Sequence, residues 1–136
     1  PAIEDAKKQF IGTHILVVED NEFNLMLIPE LLSNWGITVS LASNGIECLD
    51  LLKQTEPSFN LIFMDIQMPE MDGLEATRRI RHDLHLNIPI IALTANIMDE
   101  DQQQYIQAGM DAFLPKPFDP DQLYQILHRF IFKIAG

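Results

Sequence analysis

A chain of 136 residues, 47% apolar and 21% charged, has the length and the apolar mass for one compact core, which excludes an intrinsically disordered chain. Nine basic residues against twenty acidic ones leave a net charge of −11, so direct nucleic-acid binding, which needs a basic footprint, gives way to a cation or a basic protein surface as partner. No apolar run approaches the ~18 residues of a membrane span and no secretory leader opens the chain, and the lone Cys48 excludes a disulfide framework or a cysteine-based zinc site, so a reducing, cytoplasmic setting without membrane contact is expected.

Residues 1–12 (PAIEDAKKQFIG) carry no clear period and read as a linker or tail, which places the domain over 13–134. The first strand is predicted at His14–Val18. Asn21 then caps a helix whose apolar face is Phe23, Met26, Leu27, Leu31 and Trp35, with Pro29 inside it as a cause of kinking or widening. A second strand at Ile37–Leu41 leads to a helix in which Cys48 packs as a small apolar residue. The third strand is Leu61–Met64. Asp72-Gly73-Leu74-Glu75 reads as a capping box opening the third helix, on which Arg78, Arg79 and Arg81 form a solvated face and His82 and His85 a solvated pair.

A fourth strand at Ile88–Leu93 precedes a helix that begins with the wholly polar Asp99–Gln104. Its anchors are few (Met98, Tyr105, Ile106, Ala108) and Gly109 ends it, so it is held weakly and shifts at low cost. The fifth strand, Met110–Leu114, is followed by Asp119-Pro120-Asp121-Gln122, a helix start, and by a stripe of Leu123, Ile126, Leu127, Phe130, Ile131 and Ile134. Five strands alternating with five helices predict an α/β domain with a parallel, doubly wound sheet. The weaker second and fifth runs suit its edges.

Parallel strands share one carboxyl edge. Glu19 and Asp20 follow the first strand and Asp65 ends the third, so these acids meet in one crevice if the two strands are neighbours. Three acids together repel unless a hard cation neutralises them, and an all-oxygen set suits Mg²⁺. Thr94 and Lys116 fall on the same edge. Singly, each of these residues has a plainer reading as a solvated acid, a capping hydroxyl or a surface charge. Together they supply a carboxylate nucleophile, a metal site, a hydroxyl donor and a fixed cation, the parts phosphoryl transfer needs.

The runs Val17-Val18-Glu19-Asp20-Asn21, Met64-Asp65-Ile66-Gln67-Met68-Pro69-Glu70-Met71-Asp72-Gly73, Leu93-Thr94-Ala95 and Lys116-Pro117-Phe118 resemble the receiver domain of two-component response regulators over about residues 12–134. The wording QMPEMDGLEATRRIR and ALTAN…AGMDAFLPKPF resembles receivers of hybrid sensor histidine kinases most. That resemblance implies a flavodoxin-like fold with strand order 2-1-3-4-5, which is a known property of such folds and not an inference from these residues. It implies that Asp65 accepts phosphate from a phosphohistidine of a histidine kinase or histidine phosphotransfer domain. It also implies that Asp20 binds Mg²⁺ directly and Glu19 mostly through water, with Asp65 and the main-chain carbonyl of Gln67 completing the site, that Mn²⁺ can substitute, and that Thr94 and Lys116 hold phosphoryl oxygens.

By the same resemblance Phe113 is a switch aromatic that follows Thr94, Gln67 and Asn96 influence phosphate lifetime, and the Lys116–Pro117 bond is cis. It leaves room for a dimer formed on phosphorylation, and for self-catalysed phosphorylation and dephosphorylation without turnover of an independent substrate. Glu19 where aspartate is commoner and Pro29 in the first helix depart from the pattern, and Pro115 requires the fifth strand to lie at an edge.

Three rivals are weaker. An aspartyl-phosphate phosphatase lacks its second acid two residues after Asp65, a flavin-binding module would meet repulsion from Glu19 and Asp20, and a docking-only receiver would not keep every site residue. A stand-alone single-domain regulator is the main alternative to excision from a hybrid kinase.

Overall fold

In the computed structural model, residues 10–54, 58–68, 70–95, 99–116 and 118–131 are described, and strands alternate with helices along them. The elements are β1 (His14–Val18), α1 (Glu22–Asn34), β2 (Thr38–Ala42), α2 (Gly45–Leu52), β3 (Leu61–Asp65), α3 (Gly73–His82), β4 (Ile90–Thr94), α4 (Asp99–Ala108), β5 (Ala112–Pro115) and α5 (Pro120–Ile131). All strand pairs are parallel and the order is β2-β1-β3-β4-β5, the doubly wound order already known for flavodoxin-like folds.

Parallel neighbours require crossovers, and the helices fill them on both faces of the sheet. Side chains alternate along each strand and so build two cores. Ile15, Val17, Leu61, Phe63, Ile91 and Leu93 pack under α1 and α5, against Ile28, Leu32, Leu123 and Leu127. Leu16, Val18, Ile62, Met64, Ile90 and Ala92 pack on the other side, against Cys48 of α2, Ala76 and Ile80 of α3 and Tyr105 of α4. The three inner strands carry no exposed apolar residue. Burying each aliphatic side chain contributes about 1.5–3 kcal/mol relative to leaving it in water.

β1 ends at Val18 as predicted, whereas β2, β3, β4 and β5 each run one residue past the predicted apolar run, to Ala42, Asp65, Thr94 and Pro115. Leu93 pairs with Asp65 and Thr94 with Pro115, so β3 and β4 end on the residues that face the carboxyl edge. β5 is an edge strand, which accommodates Pro115 without a lost interior ladder bond.

Several helix readings change. On α1 the buried residues are Ile28 and Leu32, with Trp35 just beyond, whereas Phe23 and Met26 are 68% and 73% exposed. Leu31 packs against the core and Trp35 is buried, as the stripe predicts, but apolar residues lie on more than one side of this helix, so spacing alone also takes in the exposed Phe23 and Met26 and misses Ile28 and Leu32. Pro29 sits within α1, which continues through it to Asn34. Phe10, expected in the lead-in segment, is fully buried and packs its ring against Trp35 and Tyr124, so the core extends back beyond residue 13. On α4, Tyr105 and Ala108 are buried but Ile106 is 55% exposed, so the helix has one anchor fewer than expected.

Asp72 accepts a hydrogen bond from the Glu75 amide as a cap should, while the Glu75 carboxylate turns to Arg79 at 2.9 Å. Arg81 is not a solvated charge. Its guanidinium donates to the carbonyls of Gly109 and Leu86 and to Asp111, which ties the end of α3 to the α4–β5 loop. Met98 and Ile134 lie outside the described residues.

Candidate functional site

The sheet's carboxyl edge assembles the site from four separate stretches of chain. Glu19 continues β1, its amide donating to Ala42 at 3.0 Å, and its side chain is fully buried. Asp20, next in line, is exposed. Asp65 closes β3 beside Leu93, with only 5% of its surface exposed. Thr94 closes β4 and is 6% exposed. Lys116 follows β5, its amide donating to the Thr94 carbonyl at 3.0 Å, so backbone bonding sets where its side chain starts.

The Lys116 ammonium reaches back over this edge. Its Nζ lies 3.2 Å from Asp65 Oδ1, 3.2 Å from Glu19 Oε2 and 3.3 Å from Glu19 Oε1. One ammonium therefore serves two carboxylates. Carboxylate oxygens of Glu19, Asp20 and Asp65 gather within 4.8 Å of one another. A cleft of about 400 Å³ opens over them, lined also by Gln67, Thr94 and Tyr105.

Burial pushes the Asp65 carboxyl up to about 7 from its ordinary 3.8, and the negative charge of Glu19 adds to the rise. Lys116 opposes both effects without cancelling them. The set fits a hard divalent cation: its donors are all carboxylate oxygens, and of the three clustered acids only Glu19 and Asp65 share the Lys116 ammonium.

The start of α3 is pressed onto the end of β3. The Gly73 amide donates to the Ile66 carbonyl at 2.9 Å, and a Cβ at position 73 would collide with the carbonyl oxygen of Asp65. Thr77 Oγ1 in turn donates to the Gly73 carbonyl at 2.7 Å. Glycine is required here by close approach, since only a bare Cα lets α3 begin against the backbone of Asp65.

Of the residues singled out from sequence, Glu19, Asp20, Asp65, Gln67, Thr94 and Lys116 share the cleft. Phe113 stands behind it, half-buried, its ring 5.5 Å from that of Tyr105. Asn96 and the Lys116–Pro117 peptide fall outside the described residues. Two neighbours escaped sequence reasoning. Tyr105, read only as a core anchor, places its hydroxyl 3.4 Å from Thr94 Oγ1. Asn24, on the first turn of α1, donates from Nδ2 to Glu19 Oε1 at 2.9 Å. Its signal was the five-residue spacing to Glu19 across a helix start, too general to pick out alone.

Among the described residues no helix is long and apolar enough to cross a membrane. The family model described as the response regulator receiver domain matches residues 15–128. The osmosensing histidine protein kinase SLN1 of Saccharomyces cerevisiae is 40% identical over an alignment covering 100% of this chain and 12% of that protein. The chain spans 12% to 14% of the rice, Arabidopsis and yeast histidine kinases it matches.

Among solved structures, the receiver domain of sensor histidine kinase PA1611 from Pseudomonas aeruginosa superimposes with a TM-score of 0.78 at 39% identity, over 88% of this chain and 98% of that one, and it carries a magnesium ion in its active-site cleft. The Saccharomyces cerevisiae receiver domain of Ssk1, crystallised with the histidine phosphotransfer protein Ypd1, matches with a TM-score of 0.81 at 29% identity, over 89% of this chain and 90% of that one. A family model spanning the sheet from β1 into α5, over an edge where an ammonium bridges two buried acids, leaves one assignment: the chain belongs to the response regulator receiver domain family.

Proposed function

We propose that this chain, over about residues 13–134, is a phosphorelay receiver that takes a phosphoryl group from a phosphohistidine onto Asp65. The observation that carries the reading is the 3.2 Å contact of Lys116 Nζ with Asp65 Oδ1 in a cleft that also holds Thr94. An Asp65 oxygen attacks phosphorus, the phosphorus–nitrogen bond of the donor breaks, and its electron pair returns to the imidazole. The product is an aspartyl phosphate.

The reaction needs alignment and neutralisation of oxygen charge more than covalent help. Lys116 and the Thr94 hydroxyl supply fixed donors for the phosphoryl oxygens. Glu19, Asp20, Asp65 and the main-chain carbonyl of Gln67 would hold Mg²⁺, or Mn²⁺ in its place, and the ion supplies positive charge against the phosphoryl oxygens. Thr94 is hydrogen-bonded to Tyr105, and Tyr105 packs on Phe113, so engagement of Thr94 by phosphate would be felt by α4 and β5. Gln67 and Asn96 act on the rate at which water removes the phosphate.

The partner is a histidine kinase or a histidine phosphotransfer domain, and the setting is cytoplasmic. Origin within a hybrid histidine kinase is supported by the relatives matched, of which this chain corresponds to a small share. Mixing the chain with a phosphorylated histidine phosphotransfer protein and Mg²⁺ tests the reading. Transfer of label to the chain, lost in Asp65→Asn, is the result expected. Full labelling of Asp65→Asn contradicts it.

A further inference from the structure

Glu19 is the one fully buried acid of the cleft, and its hydrogen-bond partners are unequal in kind. Lys116 is shared, contacting Glu19 and Asp65 at like distances. It would be drawn away when a phosphoryl oxygen arrives. Asn24 is not shared in this way: its Nδ2 donates to Glu19 Oε1 at 2.9 Å, the shortest of the contacts between Glu19 and these two partners.

The main chain of Asn24 is held as well. Asn21 caps α1 by accepting from the Asn24 amide at 3.1 Å, and the Leu25 amide donates to the Asn21 carbonyl at 3.0 Å. The capping task is thus performed by Asn21, and the Asn24 side chain is left to the buried carboxylate. A neutral amide does what a second lysine would not. It satisfies a desolvated carboxylate oxygen without cancelling the charge a cation needs. Glutamate has one more rotatable bond than aspartate, and a fixed donor restricts that added freedom.

We propose that Asn24 is a positioning residue for divalent-cation binding: it orients the Glu19 carboxylate toward the cleft and keeps it hydrogen-bonded when Lys116 turns to phosphate. The inference rests on the reading that the cleft takes a divalent cation. Groups that hydrogen-bond metal ligands typically change metal affinity by about 10–100-fold when removed. Isothermal titration with Mg²⁺ alone is the test, on the parent chain, on Asn24→Leu, and on both in a Glu19→Ala background.

The dissociation constant is expected to rise about tenfold or more in Asn24→Leu. In the Glu19→Ala background the same substitution should change it far less. A second measurement needs no variant: the side-chain amide resonances of Asn24 should move during a Mg²⁺ titration of the parent chain and saturate with the backbone signals of Asp20. A parent-like constant in Asn24→Leu, an equal loss in both backgrounds, or stationary Asn24 amide signals in a chain that binds Mg²⁺ overturns the role of Asn24 and leaves the cleft reading intact. Absence of Mg²⁺ uptake by the parent chain overturns the cleft reading itself, and this inference with it.

Discussion

Lys116 Nζ lies 3.2 Å from Asp65 Oδ1, although 51 residues of sequence separate the two. The ladder between β4 and β5 makes this contact, because Lys116 begins where its amide meets the Thr94 carbonyl. Replacing Lys116 with Met keeps the alkyl stem and removes the charge. Phosphorylation of Asp65 by a small phosphodonor should slow by about 100-fold or more, the scale seen when one preorganised donor to a transition state is removed. Mg²⁺ affinity should not fall, since the acids lose a competing cation. Stopped-flow labelling and calorimetry on the same variant separate the two effects.

Asp65 also sets a pH dependence. Its carboxyl titrates near 7 in the fold against an ordinary 3.8, so between these values the folded chain binds more protons than the unfolded one. Stability from this group is therefore fully present below 3.8 and lost as pH rises through 7. Asp65→Asn removes the buried charge. In metal-free buffer above pH 7 the variant should be more stable than the parent by on the order of 2–4 kcal/mol. Urea melts from pH 4 to 8 should show the gap opening with pH, and Mg²⁺ should narrow it.

Gly73 meets the backbone of Asp65, so Gly73→Ala should act on the site and the fold together. The added methyl collides with the Asp65 carbonyl oxygen, and neither partner is a flexible side-chain end. A loss of about 1–3 kcal/mol, the usual scale of overpacking, is expected by denaturant melting, with slower phosphorylation of the folded fraction.

Arg81 and Asp111 make a separable prediction. The guanidinium bridges Leu86, Gly109 and Asp111, while Asp111 also accepts from the Ile90 amide at 2.9 Å. Arg81→Met should destabilise by about 1.5–3 kcal/mol, the worth of hydrogen bonds from a charged group. Mg²⁺ affinity should be unchanged, because no atom of this bracket reaches the cleft.

The layout of strands and helices was legible because inner strands of a parallel sheet are apolar on both faces and stand out as short unbroken runs. The site was legible for a related reason. Once the strands are placed, parallel packing brings their carboxyl ends together, so Glu19, Asp20, Asp65, Thr94 and Lys116 share an edge by topology. What stayed hidden depended on three-dimensional direction. Phe23 and Met26 look like core on α1 and face outward, while Phe10 looks like a tail residue and is buried. Arg81 looks solvated, because its acceptors are carbonyls that come near only after α3, α4 and β5 have packed. Asn24 and Tyr105 act through side-chain contacts that no spacing rule encodes.

The most direct measurement is the position of the phosphoryl group. An aspartyl phosphate is an acyl phosphate, and borohydride reduces it to homoserine, which peptide mass spectrometry locates. After incubation with a phosphodonor and Mg²⁺, homoserine should appear at position 65, and chelation of the metal should abolish it. Homoserine at another aspartate, or the longer hydroxy amino acid at a glutamate, with Asp65 unchanged, would contradict the account.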